Sequence, residues 1–226
     1  MVDQRLSYRL KQSQRKTISV YVSNDGSIDV LAPRAMDKNE IDTLVHKKVY
    51  LIQKKRAEFR VLNEARRHRE AVSGETFQYL GRNYRLEFDS ACTDLILKDG
   101  RFRISRRPQD DVFQSMVNFY RQRGKIKLKE RVEQYSFQMG LEHRHIRIMD
   151  LKTRWASCND LGDLNFHWKV MMAPITILDY IVVHELAHLK HHRHTDAFWA
   201  LVDRVLPDYR DRKEWLKLNG AGMDIN

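Results

Sequence analysis

The chain has 226 residues, with 41 Lys+Arg against 30 Asp+Glu and a formal net charge of +11. At 42% hydrophobic and 31% charged, with only 9 Gly and 4 Pro, it has the composition of a globular protein of one compact domain or two small ones. Disordered and collagen-like classes are excluded. Two cysteines, Cys92 and Cys158, are too few for a disulfide framework, so a reducing compartment is expected. Met1 to Gln14 is polar and basic without the apolar run of a signal peptide, and the most apolar window, Ile175 to Val183, is interrupted by Thr176 and Asp179. A cytoplasmic protein without membrane contact is expected. The charge is uneven: residues 1–150 hold 31 Lys+Arg and 20 Asp+Glu, whereas residues 151–226 hold 10 of each.

In chain order, Ile18 to Val22 and Ile28 to Leu31 alternate apolar and polar residues around an Asp25-Gly26 turn, which predicts a hairpin. From Asp37, a plausible N-cap, the period becomes helical through Ile41, Leu44, Val45, Val49 and Ile52. One long helix is expected to at least Phe59 and as far as Arg69. Thr76 to Leu80 with Tyr84 to Phe88, and Leu95 to Leu97 with Phe102 to Ile104, predict two more hairpins. After Pro108 a long helix carries Phe113, Met116, Val117, Tyr120, Leu128, Val132, Tyr135 and Met139 on one face up to Gly140, weakened in the middle by Gly124. Strands at His145 to Met149 and Asp163 to Trp168 bracket a turn over Thr153 to Gly162. Pro174 then opens a helix from Ile175 to about Lys190. Thr195 and Asp208 can cap two last helices, the second ending at Asn219-Gly220.

The chemistry lies in His184-Glu185-Leu186-Ala187-His188, an H-E-x-x-H pattern inside a predicted helix. Residues four apart share a helix face, so two imidazoles can converge on one divalent ion, zinc by preference, with Glu185 beside a water at the open position. His194 can complete the site if the chain turns back; His191 and His192 compete for that place, and Asp196 and Glu214 are more distant candidates. Against this stands a plainer reading, in which five histidines in eleven residues form a solvated basic helix end. The upstream helix residues Ile177, Leu178, Tyr180, Ile181, Val182 and Val183 are apolar nearly all round, which implies burial and favours the metal site. Thr153-Arg154-Trp155-Ala156-Ser157-Cys158 reads as a turn, with Cys158 a minor candidate ligand; Cys92 carries no chemical signal. Arg154 and Tyr180 are candidates to stabilise an oxyanion.

Arg154 to Cys158, Asn165-Phe166-His167-Trp168, Pro174, Leu178 to Leu189, His194-Thr195 with Phe198-Trp199, and Leu206-Pro207-Asp208-Tyr209 together resemble the YgjP-like metallopeptidases of bacteria and archaea, relatives of the SprT-like and WLM zincins. The resemblance runs from the first hairpin to Leu218 and is sharpest over residues 153–209. It implies one zinc ion held by His184, His188 and His194, with Glu185 as the catalytic carboxylate. The chain departs from the family pattern at Ala156, where Gly is usual, at His167, where Asn is usual, and at Arg193-His194-Thr195 in place of Asn-His-Ser.

The expectation is therefore an α+β zinc metallopeptidase. Its zincin-like core (107–226) has a long helix, a small antiparallel sheet and the H-E-x-x-H helix, and a basic portion (1–106) of hairpins and one long helix precedes it. Strand Asp163 to Trp168 is the expected edge for an extended peptide substrate. Two rivals come from other classes. One is a phosphate-ester hydrolase using Lys54, Lys55, Arg56, Arg66 and Arg67; no P-loop is present. The other is a nucleic-acid-associated protein using the N-terminal charge, including Arg121, Arg123, Lys125, Lys127, Lys129 and Arg131, whose alternation spreads charge around a helix.

Overall fold

A computed structural model describes residues 6–23, 26–64, 69–105, 111–151 and 154–225. The chain divides into two compact units, Met1–Arg66 and Arg67–Asn226. In the first, β1 (Arg9–Ser13) pairs parallel with β3 (Ile28–Pro33), and β2 (Ser19–Val22) pairs antiparallel with it, giving the order β1-β3-β2. The expected hairpin is thus present, with Asp25 of its turn outside the described residues. Two helices follow where one was expected, α1 (Lys38–Lys47) and α2 (Val49–Glu64). Asp37 caps α1 by accepting from the Asn39 N–H, and the chain leaves helical geometry at Lys48. Ile28, Val30, Ala32, Ile41, Val45 and Ile52 form the core of this unit. Arg69 lies beyond the helix, its guanidinium donating to the Thr76 carbonyl.

The second unit opens with a four-stranded sheet of order β4-β5-β7-β6, made from β4 (Thr76–Tyr79), β5 (Arg82–Phe88), β6 (Ile96–Lys98) and β7 (Arg101–Ile104). Both expected hairpins are in it, joined by parallel pairing of β5 with β7. Its inward side chains Phe77, Leu86, Phe102 and Ile104 share one core with the helices that follow. This sheet therefore belongs to the same compact unit as the helices of the metal centre.

Asp111 caps α3 (Val112–Met139), accepting from the Phe113 and Gln114 N–H groups, and Gly140 closes it. Pro108 lies outside the described residues. Gly124 does not break α3: a Cβ there would stand 2.8 Å from Ile148 Cδ1 and 3.4 Å from Met171 Cγ, so its bareness lets the helix lie close on its neighbours. Next comes a three-stranded sheet of order β8-β10-β9, from β8 (Ile146–Met149), β9 (Ala156–Cys158) and β10 (Leu164–His167). It is mixed, not antiparallel, because β10 pairs parallel with β8 and antiparallel with β9. It also corrects the docking expectation. β10, the strand within Asp163 to Trp168, is paired on both sides, because the segment read as a turn supplies β9 as an outer strand.

A 3-10 turn over Trp168–Met172 leads through Pro174 into α4 (Ile175–His188), followed by α5 (Asp196–Val205) and α6 (Tyr209–Asn219). α4 is the central element, with Ile177, Leu178, Tyr180, Ile181, Val182, Val183, Leu186 and Ala187 all buried, as its all-round apolar surface required. Its one buried acid outside the site, Asp179, meets Arg131 of α3 in a two-pronged ion pair at 2.6 and 2.7 Å, which fixes α4 against α3. No helix among the described residues is long and apolar enough to cross a membrane.

Candidate metal centre

One helical turn separates His184 from His188, and their rings lie 5.0 Å apart on one face of α4. After the helix the chain turns back through Leu189 to Arg193. His194, just before the Thr195 cap of α5, comes within 4.8 Å of both rings. One ligand atom from each of the three lies within 4.8 Å of the others, and they are the one group among the described residues that could hold a metal ion. His184 and His194 bring their Nε2 atoms to 3.0 Å. Two ring nitrogens that close either share a proton or share a cation.

Each ring is held differently. His188 Nδ1 donates to the His191 carbonyl at 3.1 Å, because a carbonyl can only accept, and this leaves Nε2 free for an ion. His191 thus orients the His188 ring by its backbone; its own ring and that of His192 lie outside the cluster. His184 Nδ1 is buried without a hydrogen-bond partner among the described residues, and its ring is set by packing against Phe198 at 5.0 Å and against Tyr180 and Trp199 at 5.8 Å each. His194 is the exposed member and stacks on Trp199 at 5.4 Å and 19°.

Burial disfavours the charged form of all three imidazoles. It pushes His184 down to about 3, helped by its two histidine neighbours and Lys213. His188 and His194 are lowered by burial first, then His188 by His194 and His192, and His194 by Lys213. Neutral rings are what a divalent ion requires. Glu185, 6% exposed, faces β9 instead of the solvent and accepts from the Cys158 backbone N–H. Burial raises it to about 7, against the lowering effects of Arg154 and that N–H.

The remaining candidates separate cleanly. Cys158 is not part of the cluster, and burial, then Glu185, push its thiol up to about 11. Asp196 sits exposed in the first turn of α5, and Glu214 is paired with Lys217. Tyr180 is buried with its ring edge on His184, and burial and Glu185 raise it to about 12. Arg154 is exposed beside β9, while Thr153 lies outside the described residues. Ala156 has no left-handed φ; it is an ordinary strand residue, so the loss of Gly there costs nothing.

Sequence reasoning missed two features here. One is β9, whose backbone reaches Glu185. The other is Lys213, whose ammonium lies over Trp199 at 4.3 Å from the ring centroid.

Over residues 16–219 the chain matches the YgjP-like metallopeptidase domain. It belongs to the YgjP-like metallopeptidase family. This metallopeptidase therefore acts on peptide or protein substrates, with a histidine triad suited to a metal ion. The crystal structure of the metallopeptidase zymogen of Pyrococcus abyssi, abylysin, is similar at 26% identity, covering 38% of this chain and 88% of that one with a TM-score of 0.36. No curated protein matches the chain.

Proposed function

We propose that the protein is a zinc-dependent peptidase in which His184, His188 and His194 hold one zinc ion and Glu185 is the general base. The observation that carries this reading is the convergence of three imidazoles beside one buried carboxylate. Three nitrogen donors without a thiolate suit zinc and leave a position open for substrate. When bound, the ion supplies Lewis acidity, lowering the pKa of water and polarising the scissile carbonyl.

Glu185 takes the proton of the attacking water on a carboxylate oxygen and hands it to the leaving amine. Its position suits both halves of that task, since burial keeps it close to neutral pH while the Cys158 N–H fixes its direction. The peptide docks along the outer edge of β9. Ladder bonds on β9 fall at Trp155 and Asn159, paired with His167 and Asp163. By antiparallel alternation the backbone groups of Ala156 and Cys158 therefore point away from β10. The Cys158 N–H is used by Glu185, so an extended chain added there lies against the base.

The test is metal content by mass spectrometry beside two assays, amine release from casein and phosphate release from nucleoside triphosphates. Wild type is expected to hold one zinc per chain and to cleave casein. His184→Ala should lose the zinc, and Glu185→Gln should keep it while losing at least about a hundredfold in rate. Equal zinc in His184→Ala refutes the ligand set, undiminished hydrolysis in Glu185→Gln refutes the base, and phosphate release alone refutes the peptidase.

A further inference from the structure

Lys213 stands beside the histidine cluster and has no part in the chemistry described above. Its ammonium lies over Trp199, and Trp199 in turn stacks on His194 and stands 5.8 Å from His184. Tyr209, one turn earlier on the same face of α6, stacks on Trp199 at 5.3 Å and 15°. The indole is thereby fixed, and with it the seat of the ammonium. His184 and His194 both feel that charge, second to burial in the case of His194.

Lys213 is exposed, and among the described residues no acid pairs with it. Of the acids on α6 and at its N-terminus, Glu214 pairs with Lys217 and Asp208 with Arg212, and Asp211 in the first turn makes no ion pair with Lys213. The carboxylate of the site, Glu185, faces Arg154 and the Cys158 N–H on the β9 side. A lysine held beside three neutral imidazoles adds positive charge where a divalent ion would already concentrate it, and the mutual repulsion is offset only when an anion arrives. Among the described residues no ion pair neutralises Lys213, so its ammonium is available to an anion carried by the substrate.

We infer that Lys213, seated on Trp199, binds a carboxylate of the substrate next to the scissile bond, so that the enzyme selects acidic peptides. The inference rests on the peptidase reading of the same site. The carboxylate has two sources, an Asp or Glu side chain or the free C-terminus of the substrate, and amidated peptides tell them apart.

The experiment uses the zinc-loaded full chain and has two readouts. In the first, peptides identical except for Glu, Gln or Lys on either side of the cleaved bond are compared, each with a free and an amidated C-terminus. Wild type is expected to favour Glu over Lys by about tenfold in kcat/KM, mainly through KM. Lys213→Gln should abolish the preference and Lys213→Glu invert it, while Lys217→Gln, one turn further on, should leave it intact. If wild type instead favours free over amidated C-termini whatever the flanking residue, the terminal carboxylate is the group bound. The second readout needs no turnover: calorimetric binding of succinic acid monohydroxamate against its neutral amide counterpart, with the acid expected to bind about tenfold tighter to wild type but not to Lys213→Gln. Equal binding of the two hydroxamates, or a preference that Lys213→Glu leaves unchanged, overturns the inference and leaves the peptidase standing. A zinc-loaded wild type that binds neither hydroxamate and cleaves no peptide overturns both.

Discussion

At the scale of single residues, the informative contacts are those in which one nitrogen or oxygen has a single role available to it. His167 is an example outside the metal centre. Its Nδ1 accepts from the Lys169 N–H at 3.1 Å and so caps the 3-10 turn that leads to α4, a role open only to the neutral ring. Burial, helped by Lys169, lowers its pKa to about 4 from 6.5. Below pH 6.5 the unfolded chain takes up a proton that the folded chain refuses until about pH 4, so this group makes stability fall as pH drops through that interval. Asn at this position, the residue usual in the family, keeps a capping oxygen and does not titrate. The metal-free His167→Asn variant is therefore expected to lose less Tm than wild type between about pH 7 and about pH 4. Parallel curves would show that the ring does not contribute in this way.

Among elements, the turn between β4 and β5 anchors the segment that leads into α4. The Leu80 and Gly81 N–H groups donate to the Met171 and Met172 carbonyls at 2.9 and 3.0 Å, at the threshold of α4. Gly81 has φ +79, and a Cβ there would lie 2.8 Å from both Cα and Cγ of Pro174. Gly100, with φ +72, has open space around it. Gly100→Ala should cost about 1 kcal/mol from backbone conformation alone, and Gly81→Ala about 2 kcal/mol or more because Pro174 must also move. Urea titrations of both variants measure the difference, and equal midpoints would remove the packing term. What could be read from sequence follows the same division. The hairpins, α3 and α4 each carry a periodic apolar signal of their own, and the spacing of His184 and His188 has meaning once the helix is recognised. β9 is three residues long and exists through its pairing with β10, so nothing local announces it. The α1–α2 break at Lys48 is invisible because apolar residues keep helical spacing across it. Lys213 is one lysine on a polar helix, and its significance comes from Trp199, which the fold brings beneath it.

For the molecule as a whole, every element that shapes the metal centre belongs to the second compact unit: β9, α4, α5, α6 and the core they share with β4–β7. The N-terminal hairpin and helices have a separate core. A fragment spanning residues 69–226 is therefore expected to fold, bind one zinc per chain and cleave casein within about threefold of the full chain. Loss of zinc from a folded fragment would mean that the first unit contributes to the site. Much of the positive charge along α3 is internally answered, since Arg121 pairs with Asp150, Lys127 with Glu130, Lys129 with Glu133 and Arg131 with Asp179. Arg66 and Arg67, offered as phosphate ligands, lie outside the described residues.

If substrate adds to the outward edge of β9 as proposed, that edge sets one more rule for what the enzyme can digest. A chain lying along Ala156 must offer an amide hydrogen to the Ala156 carbonyl, and proline has none to give. Sequences with an imino acid at that register should slip past uncut whatever their charge, so proline-rich tails would survive as limit fragments of digestion.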